Sequence, residues 1–400
     1  MFNMPSSFGL LTHVRSQARK IPALVPLWRR LKKVAFVARY CIPRLIGFAT
    51  YPIMGRRAPL RGYYAKTRDF LRHGDGYYTY LDSPSATDET THHDEPRPER
   101  FMAVIPKGAS LYECGVIVSP DHRLLADVSW EGYDLISQPL HHPAMYKLCL
   151  PPIQHIAGRV AIISSLMPDN YYHWMFDILP RFEIVQKSGL MPDYYVVNTT
   201  TQFQKDSLNV LNIPPHRILN PTRNTHIEAD ELMIPSLIGP VYSMTPQLLA
   251  CKFLRSTFLQ KIKTRKPHRA LYITRTDANN RHVINEAEIL EEVLDHGFEV
   301  ISLSNVPLLQ QVELFSEAKI VVGPHGAGFT NAVFCQPGCV LIEFMPEGWK
   351  IDCFERLARL VGMEYYSIVG MESDTSNGHV SNNDHIVERA ALRRLLRQFA

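Results

Sequence analysis

The 400-residue sequence has seven cysteines, an odd count, and no CxxC pair among them. That pattern fits neither a zinc ribbon nor a disulfide framework. Several of the cysteines lie in apolar runs, where a free thiol packs as a small hydrophobe. Nothing therefore asks for an oxidising compartment, and a reducing cytoplasm is the expected location. Long apolar runs are also missing: no window approaches the roughly 18 residues that a membrane-spanning helix needs. The first twenty residues lack the apolar core and cleavage site of a secretion signal. No Gly-Lys-Ser/Thr follows a glycine cluster, which removes a P-loop. Two bare histidine pairs, His92-His93 and His141-His142, lack the spaced partners that a metal site requires, and no metal and no cofactor is expected.

Acids are scarce at one end only. Residues 1–72 hold fifteen Lys/Arg and the single acid Asp69, while the remainder carries 28 basic and 38 acidic residues. A basic head on an acidic body points to an anionic partner for the head alone. Within residues 21–60, Leu27, Trp28, Leu31, Val34, Ala35 and Ala38 recur at helical spacing, with Arg29, Arg30, Lys32 and Lys33 at other positions. Such a helix suits an anionic membrane surface, peripheral on the inner face; a helix packed on the protein and an unstructured basic tail are the alternatives. No nucleic-acid-binding module accompanies the charge, so nucleic acid is not an expected partner.

Residues 82–100, polar and proline-bearing, read as a linker. Short alternating runs from Phe101 to Val128 read as hairpins. From Val160 the rhythm becomes strand and helix in alternation: a strand at 160–163, a helix over 170–188, a strand at 194–197 and a helix over 202–211. It breaks at 235–246, which carries Gly239-Pro240, and restarts with a helix over 246–263, strands at 270–273 and 298–302 and helices over 285–295 and 307–318. A helix over 351–361, a strand at 364–368 and a basic amphipathic helix over 385–399 close the chain. Two such runs predict two doubly wound α/β lobes with a crevice between them. The expected division is a basic extension and linker over 1–100, a first lobe over 101–238 and a second lobe over 239–400.

Three stretches carry candidate chemistry. In the first, the strand Ile320 to Val322 meets Gly323-Pro324-His325-Gly326-Ala327-Gly328, then a short helix to Phe334 and a second strand, Cys339 to Phe344, with the acid Glu343 near its end. A strand, a glycine turn and a helix leave N–H groups and the positive end of a helix dipole facing a crevice, which suits phosphate, although tight turns also need glycine for steric reasons alone. In the second, His173 and Asp177 stand four apart and share a helix face. The pair reads as a general base with its orienting acid, or as a local hydrogen bond in a helix that packs aromatics. In the third, Arg275 falls just past a strand end and Arg281 a few residues on. Two guanidiniums there grip a diphosphate, or pair with Asp277 and Glu286 in solvent.

His-Gly-Ala-Gly-Phe-Thr-Asn at 325–331 followed by Ile-Glu-Phe-Met-Pro at 342–346, Thr274-Arg275 with Arg281, and Tyr-His-Trp-Met-Phe-Asp at 172–177 together resemble the glycosyltransferase 61 family. The likeness runs from about Val160 to Val369. It implies a two-lobed GT-B fold and an inverting transferase that uses a nucleotide-sugar, typically a UDP-sugar, without an obligatory metal. Carried over, it puts Arg275 and Arg281 on the diphosphate and His325, Gly326, Ala327, Gly328 and Asn331 around donor phosphate and sugar. Glu343 falls at a ribose contact. His173 and Asp177 become base candidates, and Tyr172, Trp174 and Arg181 line the acceptor side. Phe329 stands where many members carry Leu, residues 1–100 have no counterpart, and the N-terminal anchor of eukaryotic Golgi members is not seen, which implies a bacterial-type member. The implied partners are the nucleotide-sugar and a glycan or lipid-linked glycan, in cell-surface polysaccharide synthesis. A two-lobed binding or scaffold protein, and a transferase of another group such as pyruvyl, are the competing readings.

Overall fold

The strands pair into two sheets in a computed structural model, which describes residues 57–82, 99–129, 142–239, 244–349, 351–372 and 383–399 and a few isolated positions before them. Most of the 21–60 stretch, most of the 82–100 linker and the His92-His93 pair lie outside the described residues.

The second sheet positions the candidate site. It has the order β12 (Glu299–Ile301), β11 (Arg269–Ile273), β13 (Ala318–Pro324), β14 (Val340–Pro346), β15 (Glu364–Glu372) and β16 (His385–Ile386). The first five strands are parallel and the last pair is antiparallel. β13 and β14 are almost wholly buried, which is why they read as unbroken apolar runs and not as alternating ones. Helices α6 (Glu286–Asp295), α7 (Leu308–Ser316) and α8 (Cys353–Val361) and a 3₁₀ turn (Ala327–Phe334) connect them. In chain order the strands run 2-1-3-4-5, so the connections leave in opposite directions on either side of the gap between β11 and β13. Open α/β sheets bind ligands at that point.

The first sheet departs from the expected doubly wound lobe. β7 (Gln154–Ile162), β8 (Tyr194–Val196), β9 (Ile218–Leu219) and β10 (His226–Pro235) are parallel neighbours, as the alternation with α2 (Tyr171–His173), α3 (Arg181–Lys187) and α4 (Gln202–Val210) requires. β10 then pairs antiparallel with β3 (Arg100–Pro106) and β4 (Ala109–Leu111), so this sheet is mixed. β5 (Val116–Val118) and β6 (Arg123–Leu125) extend it as the predicted hairpins. Residues expected in an N-terminal extension are part of it too: β1 (Gly62–Tyr64) pairs with β6 and β2 (Tyr77–Asp82) with β3. Tyr63 and Tyr64, half-buried against the first sheet's cores, draw that segment in.

One apolar core serves both sheets. It joins Val104, Ala161, Trp174, Phe176 and Leu179 to Phe253 and Leu254 of α5 (Leu248–Phe258), to Leu271 and Val321 of the second sheet, and to Phe329 and Phe354. The segment from Trp174 to Ile178 is a π turn, and four of its five residues are buried, as befits a helix held between two layers. The last expected helix is shorter than its pattern: His385 and Ile386 form β16 and α9 runs Arg389–Leu396. The edge of β15 takes the earlier residues, with Ile386 opposite Met371.

Candidate functional site

Past the ends of β11 and β13 lies a cavity of about 150 Å³, lined by Ile273, Arg275, Asp277, Leu303, Ser304, Gly326, Gly328 and Phe329 among others. Asp277 accepts from Ser302 at 2.5 Å and from Ser304, which fixes the loop after β11 against the loop after β12. Arg275 is half-buried and donates through Nη2 to the Asn280 carbonyl and side-chain oxygens at 3.1 and 3.2 Å. Among the described residues it forms no ion pair. Burial, and then the like charge of Arg281, bring its pKa down to about 10. Arg281 is likewise pushed down by burial and holds φ 59°, the left-handed region that costs a side chain about 1–2 kcal/mol. A cation so placed, with a second beside it, is receptive to an anion.

Gly326 shows why a glycine stands there. Its φ of 176° is extended backbone, open to any residue, but a Cβ would lie 2.0 Å from Arg275 Nη1 and 2.9 Å from Cζ. Space, not conformation, calls for glycine. Gly323 is similar: a Cβ there would meet the Ile273 carbonyl oxygen at 2.5 Å, so β11 and β13 approach closely where the cavity opens.

His325 sits beside Gly326 with its ring against Phe354 (5.3 Å between centroids) and Trp349 (6.3 Å). Its Nδ1 lies 2.5 Å from Glu343 Oε1. Glu343 is 1% exposed, and its other oxygen accepts from the Tyr365 hydroxyl at 2.7 Å. Both oxygens are thus engaged by protein and the residue has no surface for a ribose, which corrects the expectation made for it. Tyr365 is the partner that sequence reasoning missed. Tyr365 pairs with Leu341, so it stands on the Glu343 face of the neighbouring strand, and the available signal was an acid in the middle of a buried run, which must be partnered.

Asn331 is also placed otherwise than expected. It is fully buried, accepts from Tyr171 Oη at 2.6 Å and donates to Gln311 Oε1 and the Gly328 carbonyl at 2.8 and 3.2 Å. It ties the 3₁₀ turn to α7 and to α2, so it binds the two halves of the chain and not a ligand. Ala327 packs on the common core.

No residue of the Tyr-His-Trp-Met-Phe-Asp stretch lines the cavity, and four of its six residues belong to the common core. His173 Nδ1 meets Asp177 Oδ2 at 2.7 Å, but the imidazole is 1% exposed and its Nε2 is sealed from solvent. Tyr172 is buried, stacks edge-on to Phe354 at 6.0 Å and donates to the Met244 carbonyl at 2.7 Å. Trp174 donates to Ser207 Oγ at 2.9 Å inside the core. Arg181 is 1% exposed and donates to the carbonyls of Ile163, Ser164 and Pro235 at 2.9, 2.8 and 2.7 Å. Burial lowers its pKa to about 9. It clamps the ends of β7 and β10; neither it nor Trp174 has surface with which to touch an acceptor.

A largely parallel sheet flanked by helices, with a cavity lined by Arg275 at its switch point, defines an α/β protein. Residues 171–342 match the family model described as Glycosyltransferase 61. The chain is similar to a xylan glycosyltransferase of Arabidopsis thaliana, 29% identical over 122 residues (28% of this chain, 24% of the relative). A β-1,2-xylosyltransferase of Oryza sativa subsp. japonica is 26% identical over 260 residues (58% and 40%). A protein O-linked-mannose β-1,4-N-acetylglucosaminyltransferase of Xenopus laevis is 30% identical over 105 residues (24% and 18%). The chain thus spans less than half the length of each of these relatives. Among the described residues no helix is long and apolar enough to cross a membrane.

Proposed function

We propose that this chain moves a sugar from a nucleotide-sugar, a UDP-sugar first, to a hydroxyl of a glycan, with inversion and without an obligatory metal ion. The observation that carries the reading is Arg275: a half-buried cation with no ion-pair partner among the described residues, set against Gly326 at the switch point of a parallel sheet. As the glycosidic bond breaks, negative charge develops on the leaving diphosphate; in this reading Arg275, with Arg281 beside it, meets that charge. The apolar wall of Leu303 and Phe329 with Ser304 beside it suits the remainder of a nucleotide. An acceptor hydroxyl must lose its proton during attack, and an imidazole paired with a carboxylate is the group for that step. The names of the relatives make UDP-xylose and UDP-N-acetylglucosamine the first donors to try. A glycan or lipid-linked acceptor in surface polysaccharide synthesis, at the cytoplasmic face of a membrane, agrees with the basic head of the sequence.

A thermal-shift panel of nucleotide-sugars in EDTA, on wild type and Arg275→Ala, tests the reading. A shift with UDP or one UDP-sugar, lost in the variant, is the expected result. Removing one such donor typically costs about 2–4 kcal/mol of transition-state stabilisation. A panel that shifts neither protein defeats the reading in favour of a binding role or transfer of another group.

A further inference from the structure

Among the described residues, the His173–Asp177 and His325–Glu343 pairs differ in one respect that matters for a base. In the His173–Asp177 pair the imidazole Nε2 is sealed from solvent. In the His325–Glu343 pair Nε2 makes no protein hydrogen bond and reaches the surface, while Nδ1 is held by a fully buried carboxylate. We propose that His325 is the catalytic base that takes the acceptor proton, with Glu343 and Tyr365 as positioning residues behind it. The inference rests on the glycosyltransferase reading and deepens it.

The arrangement follows from the strand. Pro324 and Gly326 line the cavity that holds Arg275, whereas His325 between them turns to Trp349, Phe354 and Tyr172 beyond. Arg275 thus packs against Gly326, while the His325 imidazole packs against Trp349 and Phe354. An inverting displacement needs base and leaving group on opposite sides of the anomeric carbon, so the proposal seats the sugar between His325 and Arg275. The step balances within the site. The acceptor O–H breaks and its proton goes to Nε2; the oxygen bonds to the anomeric carbon. The bond to the diphosphate breaks and its electron pair leaves with the nucleotide. Glu343 accepts the Nδ1 hydrogen, which fixes the tautomer with a free Nε2 lone pair and offsets the imidazolium as it forms. Tyr365 occupies the second oxygen of Glu343, so the carboxylate cannot turn away. Arg281 and Cys353 are the other ionisable groups that face Glu343.

The test compares His325→Gln, His173→Gln and Glu343→Gln for UDP release from UDP-xylose and for UDP affinity by calorimetry. His325→Gln is expected to lose about 10²–10⁴-fold in kcat while UDP Kd stays within about threefold. Glu343→Gln is expected to lose at least tenfold, because an amide admits the wrong tautomer. His173→Gln is expected to lose less than His325→Gln. A larger loss in His173→Gln, or a loss in His325→Gln matched by weaker UDP binding, overturns the assignment. Nitrogen-15 shifts of the unliganded wild type decide it without turnover: a proton on Nδ1 of His325 is required, and the Nε2–H tautomer refutes it. Wild type that binds no UDP defeats the glycosyltransferase reading itself.

Discussion

Gly326→Ala separates space from backbone conformation in the candidate donor site. At φ 176° the backbone accepts alanine without strain, so the whole effect lies in the new methyl, 2.0 Å from Arg275 Nη1 and 3.4 Å from its Cδ. Carbon and nitrogen at van der Waals contact stand about 3.5 Å apart, so the guanidinium must retreat by more than 1 Å. The end of a long side chain can do so cheaply, and fold stability should change by less than about 1 kcal/mol. The hydrogen bonds to Asn280 and the alignment on a diphosphate would be lost. A charge-assisted bond is worth about 1.5–3 kcal/mol, which is about 10–150-fold in UDP affinity. Calorimetry with UDP measures this directly, and a double-mutant cycle gives the decisive comparison. In Arg275→Ala the added methyl has nothing to displace, so Gly326→Ala/Arg275→Ala should bind like Arg275→Ala alone. Additive losses, or a single Gly326→Ala that binds UDP within twofold of wild type, would refute the reasoning.

Three further outcomes are expected. Arg181→Met should destabilise the fold by about 3 kcal/mol in chemical denaturation, since three buried carbonyls lose their donor, and the loss should appear equally with and without nucleotide. Tyr171→Phe removes the 2.6 Å bond to buried Asn331 and should cost about 1–2 kcal/mol by the same assay. Glu292, 2% exposed, accepts from Arg393 and Arg389 of α9; the Arg393 bonds first of all hold its pKa at about 2, below the usual carboxylate range. A depressed carboxylate stabilises above its unfolded pKa and loses that contribution as pH falls through the folded one. Glu292→Gln should therefore lower Tm at neutral pH, and the gap to wild type should close between about pH 4.5 and 2.

Much of the second sheet was legible. Ile320 to Val322 and Val340 to Phe344 are apolar because neighbours cover both faces, and the helices between them keep a 3.6 period, so bounds differ by a residue or two. Arg275 and Gly326 were found because strand ends and glycine turns are visible in one dimension. Their mutual fit was not, since it depends on a 2.0 Å approach between residues fifty-one positions apart. Glu343 was misassigned because an acid in a strand looks alike whether it faces ligand or a buried imidazole. Trp174 and Arg181 lie in a stretch rich in groups that could bind a sugar, but aromatic and guanidinium side chains also serve cores and strand ends. The mixed first sheet escaped notice because antiparallel pairing of β10 with β3 spans more than a hundred residues.

The core shared by both sheets bears on motion. Two lobes that meet only at a crevice can swing about a linker, but here Trp174 and Phe176 pack in one cluster with Phe253, Phe329 and Phe354. Rotation of one sheet against the other would have to pull those rings apart and expose them to water. Under the proposed transferase reading, rearrangement is expected in the connections that rim the cavity, residues 274–285 and 302–307, which carry Arg275, Arg281 and Ser304. On that reading, nucleotide-sugar entry and nucleotide departure become matters of loop kinetics, set by the hydroxyls of Ser302 and Ser304 on Asp277 and by the hold of Asn280 on Arg275.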